Sequence, residues 1–411
     1  MRLLVIAFFL FFAGLIEAQT SYFQQRTGYK ISVSLDDKKH QLDGKLELKY
    51  TNNSPHVLDK IGFHLWPNAY STKSTAFAKQ KSKQKSLKYH FAPITQMGNI
   101  TELDFRVDQE QAKLMIDTKN PDMAWLILNQ PLKPGQTIRI ETPFQVKIPI
   151  TFSRLGHNGH TYEITQWYPK PAVYDAKGWH LMPYLDQGEF FSEFGNFDVN
   201  IHLPENYVVA STGELQDESE KRFLEEKVRQ SSQAIANQTK LYDKDPESSS
   251  QYKTIRYLAE NVHDFAWFAS KRFYVQKSNC QVQVFKNIET WGFFENPKFW
   301  SKSAEYVKRA VEFYSANVGT YPWPQATAVE AALSAGGGME YPMITVISGA
   351  NDDASLDNVI THEVGHNWFY GILGSNEREH PFMDEGINTY YENRYMDSFY
   401  TEREGFLPRK W

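Results

Sequence analysis

The apolar residues of this chain change their spacing once, and that change decides the order in which its architecture is built. From Ser21 to about residue 215 the pattern is strand-like. Tyr29 to Leu35 (YKISVSL), Gly44 to Tyr50 (GKLELKY), Thr137 to Glu141 and Phe197 to Leu203 alternate apolar with polar residues, with turn residues between them. A period of two puts every second side chain on one face, so each run can bury one side of a sheet. A succession of such short strands predicts an all-β sandwich or saddle-shaped domain. After a last strand pair, Lys253 to Leu258 and Phe265 to Ala269, the period lengthens. Ala304, Val307, Val311 and Tyr314 fall at helical spacing, in a helix closed near Gly319 and followed by Pro322 and Pro324. Strands at Ala326 to Leu333 and Glu340 to Ser348 enclose a glycine run, Gly336 to Gly338, and helices are expected from Ser355 to Tyr370 and from about Asp384. The expected fold class is α+β and multidomain, with an all-β domain over 19–270 and a mixed domain over 271–411.

Residues 1–18 stand apart from this scheme. Arg2 precedes an almost unbroken apolar run, Leu3 to Ile16, and Ala18 offers a small residue for cleavage before Gln19. That layout predicts a secretory signal peptide, and the run is short for a bilayer span. The mature protein is therefore expected to be exported, with no stable membrane insertion after cleavage. Cys280 is the single cysteine, so no internal disulfide can form. An exported chain held by burial alone suggests a bacterial periplasmic or extracellular protein. A net charge of −5 supplies no large basic surface and argues against a nucleic-acid partner.

Two polar stretches interrupt the β pattern. The lysines at 79, 81, 83, 85 and 88, interleaved with Ser and Gln, predict a solvated loop. Residues 216–252, crowded with charges and ending in Pro246 and three serines, predict a polar insertion that can make a solvated helix and loop but has little to bury.

The chemistry concentrates in T-H-E-V-G-H-N-W, Thr361 to Trp368. On a helix, His362 and His366 leave the same face and can reach one ion. Glu363 sits beside the first of them, placed to act as a general base without ligating. Glu385 follows His366 with 18 residues between, in F-M-D-E-G-I-N-T-Y on the next predicted helix. Two imidazoles and a carboxylate suit one zinc ion per chain and leave a coordination position open, as a catalytic site requires. Asp384 and Glu392 are candidates to orient the histidines.

This spacing, with Glu385 in a D-E-G-x-x-x-Y context, resembles the gluzincin metallopeptidases of the aminopeptidase N family. A second motif supports the resemblance: G-G-M-E-Y, Gly337 to Tyr341, is similar to the family's G-x-M-E-N, with Tyr341 replacing the asparagine. The resemblance implies a thermolysin-like catalytic domain, a zinc aminopeptidase activity on peptides with a free N-terminus, and Glu340 binding the α-amino group. It also implies that Gly337, Gly338 and Met339 border the substrate. In I-T-Q-W-Y-P-K-P, Ile164 to Pro171, Gln166 matches a family glutamine that contacts the first substrate residue. The family's domain continues beyond the third ligand into a helical lobe with an oxyanion-binding tyrosine. This chain ends at Trp411, so a C-terminally incomplete catalytic domain is expected, and none of Tyr390, Tyr391, Tyr395 and Tyr400 takes that role. Two rivals share the zinc core: a thermolysin-type endopeptidase and a non-catalytic zinc-binding scaffold.

Overall fold

The computed structural model describes residues 22–242, 244–283, 286–332 and 337–400. The expected leader at 1–18 and the segment 401–411 lie outside the described residues. The fold is α+β: a β-rich N-terminal part carries several sheets, and helices gather toward the C-terminal end. Among the described residues no helix is long and apolar enough to cross a membrane.

The large N-terminal sheet is built on β1 (Arg26–Asp36), β2 (Gln41–Thr51), β3 (Thr137–Lys147), β4 (Gly195–Pro204) and β5 (Tyr252–Val262), in the order β5-β4-β1-β2-β3. β1 runs antiparallel to β2 and parallel to β4. The alternation read from the sequence is the one observed, since Tyr29, Ile31, Val33 and Leu35 all point into the core. Ile31 stands opposite Leu46 on one side and Val199 on the other, so a slip of one residue would turn the apolar row to water.

The polar stretches bury more than their composition suggests. The lysine-rich segment forms a helix over Ala76–Lys83, capped by Thr75, whose side chain accepts from the Ala78 amide. Lys81 is buried there and pairs with Asp186 at 2.9 Å. Composition registers the charges but not the partner, which lies 105 residues away. Likewise α1 (Glu218–Ala236) buries Leu224 and Ala234 and packs against β6 (Tyr274–Gln283), where the Val275 amide donates to Ser231 Oγ at 2.8 Å.

β6 opens the sheet that carries the site. It pairs with β7 (Lys286–Phe294), followed after α2 (Ser303–Asn317) by β8 (Gln325–Glu330), β9 (Gly338–Tyr341) and β10 (Ile344–Ile347). The order is β6-β7-β8-β10-β9, with β7, β8 and β10 parallel and β9 antiparallel at the edge. The single strand expected over Glu340 to Ser348 is thus a hairpin. Pro342 and Met343 make its two-residue turn, with Met343 at φ 65°, and a proline inside an apolar run is the signal for this break. Two helices complete the region, α3 (Asp353–His366) and α4 (Ile387–Phe399). A reciprocal cap between Asp352 and Ser355 starts α3. α3 then continues through a wider turn, Asn367–Ile372.

Candidate metal centre

α3 is held from both sides. α2 packs against it, and Tyr314 donates to Asn388 Oδ1 at 2.9 Å while Asn388 Nδ2 donates to the His362 carbonyl at 2.7 Å. Gly365 lets that clamp close, because a Cβ there would collide with both Asn388 and Tyr314. At the far end of α4, Tyr395 and Tyr400 donate to the two oxygens of buried Asp357, at 2.9 and 2.6 Å. Tyr391 stacks on Phe369 and Tyr390 is half exposed.

One turn of α3 brings His362 Nε2 to 3.1 Å from His366 Nε2. The opposite ring nitrogens face carboxylates: His362 Nδ1 meets Glu392 Oε2 at 2.9 Å, and His366 Nδ1 meets Asp384 Oδ1 at 2.5 Å. A neutral imidazole that donates from Nδ1 keeps its Nε2 lone pair for a metal ion, and the two carboxylates favour that tautomer. Across 3.1 Å one Nε2 must carry a proton toward the other unless a cation lies between them, and a metal ion would bind there in place of that proton. Glu385 Oε2 stands 3.5 Å from His362 Nε2, and ligand atoms of His362, His366 and Glu385 lie within 4.8 Å of one another. Two imidazole nitrogens and one carboxylate oxygen at these separations fit zinc.

Glu363 is buried behind this group, and its Oε2 has no hydrogen-bond partner. Gly338 on β9 packs directly on its carboxylate, where any side chain would collide. Burial raises Glu363 to about 7, against the pull of His362 and His366. Burial would lower His362, yet its bonds to Glu385 and Glu392 outweigh this and hold it near 10. The bond to His362 keeps Glu385 below the usual carboxylate range. Burial also pushes Glu340 well up; His366 opposes this, while Glu189, Asp384 and Glu363 add to it.

These groups face a cleft of about 310 Å³ that is also lined by Arg154, Glu189, Gly337, Gly338, Met339 and Glu340. Larger hollows of about 380 and 560 Å³ lie elsewhere, without a converging set of metal ligands among the described residues. Glu340 is 8% exposed, and its Oε1 has no partner. Gln166 does not line the cleft. It is buried at a backbone φ of 47°, and its Oε1 accepts from the Tyr341 hydroxyl at 3.2 Å. The tyrosine at the end of β9 thus ties Gln166 to the strand that carries Glu340.

Glu189 and Glu377 escaped the sequence reading, and with Glu340 they form a second cluster with oxygens within 4.8 Å of one another. Glu377 lies in S-N-E-R between the second and third candidate ligands, a loop without periodicity to betray which way its side chain points.

No family model matches the sequence. Solved structures do. The chain is similar to an M1 zinc metallopeptidase from Deinococcus radiodurans at 12% identity and a TM-score of 0.54, covering 92% of this chain and 72% of that one. A mutant of an M1 zinc metallopeptidase from Deinococcus radiodurans bound to a Tyr-Ser-Ala substrate gives 12% identity and 0.55, covering 93% and 72%. A two-domain M1 zinc metallopeptidase mutant bound to L-arginine gives 11% and 0.55, with the same coverage. At such identities the likeness speaks for the backbone and not for the reaction. The chain has an M1-like zinc peptidase fold.

Proposed function

We propose that the chain is a zinc-dependent aminopeptidase that hydrolyses the first peptide bond of peptides with a free N-terminus. The observation that carries this reading is the approach of the two histidine Nε2 atoms to 3.1 Å, each imidazole backed by a carboxylate, beside Glu385 and a Glu363 whose Oε2 has no partner. His362, His366 and Glu385 would hold one zinc ion, which supplies Lewis acidity to the scissile carbonyl and to water. Glu363 accepts a proton at Oε2 and returns it to the leaving amine. Glu340 receives the substrate ammonium, a charge-assisted contact that sets the first peptide bond over the metal ligands. Met339, Gly338 and Gly337 present an unpaired strand edge to the cleft, along which an extended peptide can lie. Gln166 acts through Tyr341, steadying β9.

A thermolysin-type endopeptidase has no use for a buried carboxylate at Glu340, and a non-catalytic scaffold has none for Glu363. The test is Glu363→Gln at full zinc loading. Turnover is expected to fall by about a hundredfold to ten-thousandfold while zinc content stays unchanged. Equal activity in the variant would remove Glu363 from the mechanism. Export to the periplasm or beyond, inferred from residues 1–18, is checked by cell fractionation.

A further inference from the structure

Independently of the peptidase reading, we infer that the lysine-rich segment seats the chain on an anionic phospholipid surface, with Leu87, Phe91 and Ile94 as apolar tips and Lys79, Lys83 and Lys85 as the cations around them. Residues 60–101 hold seven lysines and neither Asp nor Glu, in a chain whose net charge is −5. Among the described residues only Lys81 of the seven is in an ion pair, with Asp186, and it is buried. Lys79, Lys83 and Lys85 are exposed. Such charge acts over about 8 Å at physiological salt, so a local patch can meet an anionic surface that the chain as a whole would repel.

The apolar tips are held out by a well-anchored segment. Tyr89 is buried against Phe77 and Phe152, at ring-centroid distances of 5.0 and 4.9 Å, and Lys88 donates to the Thr151 carbonyl at 3.0 Å. The Phe91 amide donates to the Leu87 carbonyl at 3.1 Å, which sets these two side chains one turn apart on the same face. With Tyr89 turned inward, Leu87, Phe91 and Ile94 stay 48%, 73% and 78% exposed. Lys147 donates to the Ile94 carbonyl at 2.8 Å and adds a cation beside the third tip. Protein interfaces are poor in lysine and favour arginine, whereas apolar tips set among lysines suit a layer of acyl chains under acidic headgroups. Gln80, on the Ala76–Lys83 helix, exchanges two hydrogen bonds with the backbone of Gln187, which lines the cleft of the candidate metal ligands. A chain seated by this patch therefore holds that cleft beside the bilayer.

Sedimentation of the full chain with phosphatidylcholine vesicles, with and without about one third phosphatidylglycerol, tests this. The wild type is expected to partition at least about tenfold more strongly to the anionic vesicles, and the difference to collapse as salt is raised to about 1 M. Lys79→Gln, Lys83→Gln and Lys85→Gln combined should weaken anionic binding about a hundredfold, at about fivefold per lysine. Phe91→Ser with Ile94→Ser should weaken it at least about tenfold. All five side chains are exposed, so both variants should keep the wild-type fold, with circular dichroism as the control. Equal binding of the wild type to both vesicles, or none to either, overturns the proposal whatever the variants do. So does anionic binding that survives in both variants, as attachment through residues 1–18 would give. A loss confined to one variant overturns it too: in the lysine variant alone it marks a site for an acidic polypeptide, in the apolar variant alone an uncharged one.

Discussion

Asp384→Asn and Glu392→Gln make the same chemical change behind the two candidate zinc ligands, and the structure predicts different penalties. Asp384 and His366 are both almost fully buried, their contact is 2.5 Å, and the second Asp384 oxygen has no partner. Asparagine there either presents its carbonyl as a weaker acceptor or presents its amide hydrogens. In the second case His366 must switch tautomer and carry its hydrogen on Nε2, where a ligand lone pair is needed. Glu392 is looser. It shares its bonds between His362 and Asn358 Nδ2, and its side chain is 15% exposed, so water can substitute. Losing the group behind a metal-bound histidine typically costs tenfold to a hundredfold in affinity, about 1.4–2.8 kcal/mol. Asp384→Asn belongs at the upper end and Glu392→Gln at the lower, a difference of roughly tenfold. Competition against a chromophoric chelator at fixed pH measures both, with thermal melting as a control for folding. Equal penalties, or the reverse order in folded variants, would refute the assignment of Asp384 as the dominant orienting group.

Other expectations follow from the same geometry. A methyl group at Gly338 must displace the Glu363 carboxylate, so Gly338→Ala should lower turnover by at least about tenfold while zinc content stays constant; retained turnover would show that Glu363 has room to spare. Burial holds Glu163 at about 8, above the 4.5 of an ordinary carboxylate. Above pH 4.5 the unfolded chain gives up this proton while the folded chain keeps it, so the contribution present at low pH is lost as pH rises toward 8. Glu163→Gln, which keeps an acceptor for the Ala332 amide, should remove a slope of up to about 1.4 kcal/mol per pH unit across that window. Denaturant melts of both proteins at pH 5 and 7 check this, and parallel stability curves would contradict it.

What the sequence made legible follows from local physics. Strands β1 to β5 announce themselves because each buries one face, and a period of two survives in the letters. His362 and His366 share one turn of a helix, so their convergence is a property of spacing alone. Glu385 needed the next helix to fold back, and the Tyr314–Asn388–His362 clamp that brings it there spans three elements. The hairpin at Pro342 was written in the sequence and read through as one strand, since the flanking residues are apolar on both sides. Lys81 and Glu377 were beyond reach for another reason. Each is a charged residue in a polar stretch, and what distinguishes it is a buried environment made by distant parts of the chain.

The central claim, a zinc aminopeptidase that anchors a free N-terminus, is tested most directly by offering the zinc-loaded protein one short peptide in two forms, free and N-acetylated. Release of the first residue from the free peptide alone is the predicted result. Cleavage of both forms at comparable rates would contradict it and return the site to an endopeptidase.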